Sequence, residues 1–140
     1  MDRKRKKKTE SGTDVLDDGV ITLRPVTAED TDLILRWRNA DFVRRHFIFR
    51  ETLTREMHEK WLATKVRSGE VVQFILCTGT PEADGHPFGS VYLRDVDHDA
   101  KCAEFGIFIG EADALGKGYG TRATRMMLAY AFDSLGLTRV

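Results

Sequence analysis

Apolar and polar residues alternate from Val20 to Val26, with Ile21 and Leu23 on one side and Thr22 and Arg24 on the other. That period of two predicts a short strand, stopped by Pro25. The period then changes: Leu33, Ile34 and Trp37 recur at three- and four-residue spacing, which predicts a helix running to about Arg38. Thr27 reads as its N-cap, with Glu29 and Asp30 in the first turn, where the helix dipole favours acids. Residues 39–53 mix aromatics and cations (Phe42, Arg44, Arg45, His46, Phe47, Phe49, Arg50) without clear period. A second helix is expected from Thr54 to just before Gly69, with Met57 and Trp61 facing inward and Gly69 as the C′ residue.

The pattern then turns to strands. Val71–Thr78, Phe88–Val96 and Cys102–Gly110 are apolar runs, separated by the turn-rich Gly79–Pro87 and the polar Asp97–Lys101. Connections this short predict an antiparallel meander. A loop, Glu111–Lys117, leads into a long helical pattern with Ala123, Met126, Met127, Tyr130 and Ala131 on one face and Gly136 closing it. Leu137–Val140 reads as the opening of another strand.

Charge adds an asymmetry. Basic and acidic residues balance at 22 each over 140 residues, yet Arg3, Lys4, Arg5, Lys6, Lys7 and Lys8 crowd the start against Asp2 alone. The other 132 residues therefore hold 16 basic and 21 acidic side chains. Residues 1–19 are polar and aperiodic, and are expected to form a disordered basic leader before a single domain over 20–140. An acidic body argues against nucleic acid as a partner, because that binding rests on neutralising phosphates. No apolar run approaches the roughly 20 residues of a membrane span, and no hydrophobic stretch follows the basic start as in a secretory signal. Cys77 and Cys102 lie in strand-like runs and read as reduced core thiols of a cytoplasmic protein. His46, His58, His86 and His98 show no metal-ligand spacing, so no metal is expected.

The candidate chemistry lies in Leu115-Gly116-Lys117-Gly118-Tyr119-Gly120-Thr121, between a strand and a helix. Glycines permit positive φ and close approach of a ligand, and a helix start offers unpaired N–H groups and partial positive charge. Together they suit a phosphate or pyrophosphate, to which Lys117 and Thr121 can add a charge and a hydroxyl. A mononucleotide P-loop needs Ser or Thr after Gly-Lys, and Lys117 is followed by Gly118. Gly118-Tyr-Gly120-Thr-Arg-Ala123 fits a dinucleotide fingerprint in letters, but follows a meander rather than opening a βαβ unit. A purely structural loop, its glycines letting helix and strand pack closely, is a further reading.

The third ligand is the pyrophosphate of coenzyme A. Ala103–Gly136 resembles the central motif of the GNAT superfamily, whose loop reads Gln/Arg-x-x-Gly-x-Gly/Ala. Gly118 and Gly120 match, whereas position 115 is Leu. Leu35-Arg36-Trp37-Arg38-Asn39 is similar to a first-helix signature of amino-sugar N-acetyltransferases and of relatives of ribosomal-protein N-terminal acetyltransferases. The resemblance covers residues 20–140 and implies an α+β fold: a mixed, mainly antiparallel sheet with helices on both faces. It also implies that the last strands, about 35–45 residues by element dimensions, lie beyond Val140.

The implied reaction is acetyl transfer from acetyl-CoA to a primary amine. The resemblance assigns the pyrophosphate to the 115–121 loop and polarisation of the thioester carbonyl to backbone N–H groups of Ile107, Phe108 and Ile109. It makes Glu104 the foremost proton acceptor, against the alternative of a solvent-facing Glu paired with a cation. Arg38 and Asn39 either line the acceptor cleft or form a helix C-terminal pair. The expected acceptor is a nucleotide-linked amino sugar, with a protein N-terminal amine second and a non-catalytic CoA-binding or interaction module as the other class. A homodimer is compatible with this reading.

Overall fold

The computed structural model describes residues 5–8, 14–47, 52–80 and 85–140. Phe49, Arg50, Pro81, Asp84 and the leader residues 1–4 and 9–13 lie outside these. Six strands form one sheet in chain order: β1 (Arg5–Lys8), β2 (Asp14–Asp17), β3 (Ile21–Pro25), β4 (Val72–Thr78), β5 (Pro87–Asp97) and β6 (Cys102–Ile109). Each is antiparallel to the next. Between β3 and β4 run α1 (Thr31–Asn39), α2 (Asp41–Arg44) and α3 (Arg55–Trp61), and α4 (Tyr119–Ala129) follows β6.

Alternation along the strands sorts the core into two layers. Ile21, Leu23, Phe74, Leu76, Val91 and Leu93 pack against the inner stripe of α4, formed by Ala123, Met126 and Met127. Ile75, Cys77 and Phe108 point the other way, onto Ile34, Trp37 and Val43 of α1 and α2. Both faces are thus covered, as expected, and polar residues in alternate positions become buried. Each finds a partner: Thr22 Oγ1 donates to the Gly79 carbonyl at 2.7 Å, and Ser90 Oγ to that of Phe74 at 2.8 Å. Gln73 bridges the Trp61 indole N–H (2.9 Å) and Ser90 (3.0 Å). Unpaired, such groups would each cost about 1–3 kcal/mol.

Three expectations need correcting. The leader is not without structure: β1 and β2 pair within it, because Leu16, only 4% exposed, joins the α4-side core. On α3, Met57 is 40% exposed, and His58, at 3%, is the buried residue. A hydrophobicity pattern scores histidine as outward, so it misassigns that face. Cys77 is a buried core thiol, but Cys102 is only half-buried, at the start of β6. There it makes a parallel bridge to Arg139, the one parallel pairing among the described residues. No helix among the described residues is long and apolar enough to cross a membrane.

Candidate active site

A cleft of about 1060 Å³ opens between β6 and helices α1–α3 and reaches the 112–115 turn. Its floor is the β6 segment Phe105–Ile109, its far wall carries Arg38, His58 and Trp61, and Ala112 and Leu115 lie at its loop end.

Strand parity decides what β6 presents. The Gly110 N–H donates to the Phe88 carbonyl at 2.7 Å, and Ser90 lies opposite Phe108. In an antiparallel ladder the bonded groups alternate, so Phe108 directs its N–H toward β5. Ile107 and Ile109 direct theirs off the sheet edge. Ala103, of the same parity, donates outward to the Arg139 carbonyl, in agreement. Of the three residues expected to polarise a carbonyl, Ile107 and Ile109 therefore have the orientation. Phe108 contributes its ring, edge-on to Trp37 and Phe47 with centroids 6.1 and 5.9 Å apart.

After β6 a short turn, Ala112–Ala114, leads into the glycine loop. Gly116 and Gly118 take φ of +76° and +77°, and Gly118 is the left-handed N-cap of α4. A left-handed backbone favours glycine. The Arg122 N–H already closes onto the Gly118 carbonyl, at 3.2 Å. The preceding N–H groups, of Tyr119, Gly120 and Thr121, are the free donors of a helix start. Lys117 and Thr121 are exposed beside them. The Tyr119 ring turns inward, 5.0 Å from Phe88, so this residue can offer a ligand only its backbone.

Gly120 is the informative position. Its φ is not positive, and a Cβ there would meet nothing within 4 Å. Neither conformation nor internal packing calls for glycine, although glycine in a helix costs about 1 kcal/mol relative to alanine. The reading of the loop as a packing device therefore has no support at Gly120.

The other expected site residues fall in different places. Arg38 lines the cleft, its guanidinium 3.9 Å above the Phe47 ring. Asn39 does not: its amide accepts from the Leu53 N–H at 2.7 Å and donates to the Leu53 carbonyl at 2.9 Å, clamping the chain after α1. Glu104 is solvent-facing, its side chain 62% exposed, and accepts from Arg94 Nε at 3.1 Å. Arg94 lines the cleft, so Glu104 stands at its rim. His58 and Tyr92 escaped sequence reasoning. Both line the cleft and are largely buried. Burial and the nearby Arg38 charge push the His58 pKa down; burial raises that of Tyr92 against the opposing pull of Arg38. Gly106 leaves room for the Tyr92 ring, which a Cβ there would strike at 2.3 Å.

The model of the acetyltransferase (GNAT) domain matches residues 21–140. The chain belongs to the GNAT acetyltransferase family. Solved structures agree on the GNAT fold. Spermidine N-acetyltransferase from Vibrio cholerae, as a dodecamer in an intermediate state, superposes with a TM-score of 0.67 at 23% identity. The match covers 84% of this chain and 65% of that one. The same enzyme in complex with CoA and spermine gives 0.71 at 23% identity, covering 84% and 66%. A domain from Methanocaldococcus jannaschii gives 0.70 at 24% identity, covering 84% and 72%. At these identities the likeness establishes the fold alone. The GNAT domain described here spans about two thirds of the length of the spermidine enzyme. No curated protein sequence matches the chain significantly.

Proposed function

We propose that this protein is an acyl-CoA N-acyltransferase that moves an acetyl group from acetyl-CoA to a primary amine. Gly120 carries the reading: its backbone does not call for glycine and no protein atom lies within 4 Å of its Cβ position, which leaves the first turn of α4 open to a ligand. A pyrophosphate fits there, on the free N–H groups of residues 119–121 with the Lys117 ammonium beside them. Acetyl-CoA supplies an activated thioester carbonyl. In this reading the outward N–H groups of Ile107 and Ile109 donate to its oxygen as negative charge develops, each worth about 3–4 kcal/mol in comparable sites.

The acceptor amine enters from the α1–α3 side as an ammonium ion and must lose a proton before it attacks. Glu104 takes that proton through water, since its carboxylate stands at the rim beside Arg94. The amine nitrogen then bonds to the carbonyl carbon, the carbon–sulfur bond breaks, and the second nitrogen proton passes through water to the leaving thiolate. A nucleotide-linked amino sugar is the favoured acceptor, ahead of a protein N-terminal amine. The Arg38, Arg45 and Arg94 side chains around the cleft suit it better than a polycation such as spermidine.

Two substitutions at Gly120 test the reading. Gly120→Ala should raise stability by about 0.5–1 kcal/mol and weaken CoA binding, because its methyl group stands where the ligand approaches. Gly120→Leu, equally compatible with a helix, should keep the fold and weaken CoA binding at least about tenfold, since a long side chain fills the approach. Calorimetric titration with CoA reads both. Undiminished affinity in Gly120→Leu would remove the ligand from this loop, and CoA binding without any amine turnover would leave a non-catalytic CoA module.

A further inference from the structure

The wall of the cleft opposite β6 holds a cation with no counterion among the described residues. Arg38 is largely withdrawn from water, and among the described residues nothing accepts from its Nε–H. None of the ion pairs between described residues includes it. Its guanidinium rests on the Phe47 ring at 3.9 Å and lies 5.9 Å from the Phe108 centroid, which offers only the weak attraction of ring quadrupoles. Burial disfavours its charged form. A guanidinium in this position is ordinarily matched by a carboxylate or phosphate that its planar fork can grip with two hydrogen bonds.

His58 supplies the second, independent observation. It is 3% exposed, it lines the same cleft, and its Nε2 has no partner among the described residues. Buried polar atoms are paired in most proteins, so an unpaired one on a residue that lines a cavity points to a ligand group there. Arg38 and His58 line the same cleft, and the Arg38 charge bears on His58. Among the described residues lining the cleft there is no Asp or Glu.

We infer that the Arg38–His58 corner binds an anionic group, carboxylate or phosphate, carried by the amine acceptor itself. The guanidinium fork takes two of its oxygens, and His58 Nε2, protonated or in the Nε2–H tautomer, donates to it. The acceptor is then an amine with a fixed negative group, held by that group while the amino end reaches the β6 edge. This rests on the amine-transfer reading and narrows it.

The test is calorimetry on the full chain with CoA at saturation, using matched amines. Glucosamine 6-phosphate against glucosamine isolates phosphate, and alanine against alaninamide isolates carboxylate; spermidine represents a polycation. In at least one pair the anionic member should bind tenfold or more tighter. Arg38→Met should abolish that preference while leaving the neutral member unchanged, and Arg38→Lys should restore part of it. Inorganic phosphate or acetate should compete and shift the His58 imidazole NMR signals. Equal or absent binding of the anionic members overturns the inference, as does a preference that survives Arg38→Met or tighter binding of spermidine. The CoA titration that precedes each run reads the transferase proposal separately. With no CoA bound, the His58 shifts on adding phosphate or acetate still decide the anion site.

Discussion

Glu104 carries the sharpest choice between two roles for one side chain. It is exposed and paired with Arg94, as an ordinary surface glutamate would be. Such pairs contribute little to stability, at most about 1 kcal/mol. Glu104→Gln should therefore leave the urea midpoint and CoA affinity nearly unchanged. If the carboxylate takes the ammonium proton, kcat should fall by about 10²–10⁴. Steady-state kinetics with the preferred amine decides it; an unchanged kcat returns Glu104 to the surface role. The sequence showed this residue and its strand, but not the side chain that engages it. Arg94 lies ten residues earlier, and only the β5–β6 register sets the two opposite each other. Tyr119 differs, because its orientation was readable. It lies four residues before Ala123 and so continues the inner stripe of α4, which leaves only its backbone to the ligand loop.

At the level of elements, α1 determines where Arg38 and Trp37 stand, and one carboxylate fixes α1 to the sheet. Asp30, at the end of the turn Ala28–Asp30, receives two bonds from Arg24 of β3, at 2.8 and 2.9 Å. It also accepts the Thr27 N–H at 2.9 Å, so the predicted cap at Thr27 is real but its acid is the structural part. Removing one partner of a buried pair costs about 3–5 kcal/mol, and less here because Arg24 is one-third exposed. Asp30→Asn should lower the unfolding free energy by about 2 kcal/mol and loosen α1, seen as faster amide exchange across Thr31–Asn39. Exchange unchanged there would mean that core packing alone sets the helix. Periodicity located α1, the meander and α4 because each has a single apolar face. It missed the buried polar pair of the sheet, since Gln73 and Ser90 occupy strand positions that alternation assigns to solvent. A sheet covered on both faces buries those positions too, and period alone does not say that a second layer is present.

Across the whole molecule, the two helical layers are tied to the rest of the chain by carboxylates whose protonation the fold opposes. Asp18, in the β2–β3 turn, reaches Arg122 of α4 at 2.9 Å. Burial works against its charge, but the Ile21 and Val20 N–H groups and Arg122 outweigh burial and hold its pKa below the ordinary value. Glu111, after β6, accepts from the Trp37 indole and from Arg36 of α1; the Trp37 bond is the main reason its pKa is lowered. A depressed carboxylate stabilises the fold above its unfolded pKa, and that contribution fades as pH falls through the folded one. His58 adds an earlier step. Burial, reinforced by Arg38, lowers its pKa, so the unfolded chain binds a proton first and stability drops as pH falls below about 6.5. Urea unfolding followed from pH 8 to 3 should thus show two declines, one beginning near about 6.5 and another below about 5. His58→Gln should remove the first and leave the second. Glu111→Gln combined with Asp18→Asn should flatten the second and leave the first. A single decline, unaltered by His58→Gln, would mean that the cleft admits enough water to keep the imidazole near its solution behaviour. The corner shared with Arg38 would then lack the desolvation that makes an anion worth binding there.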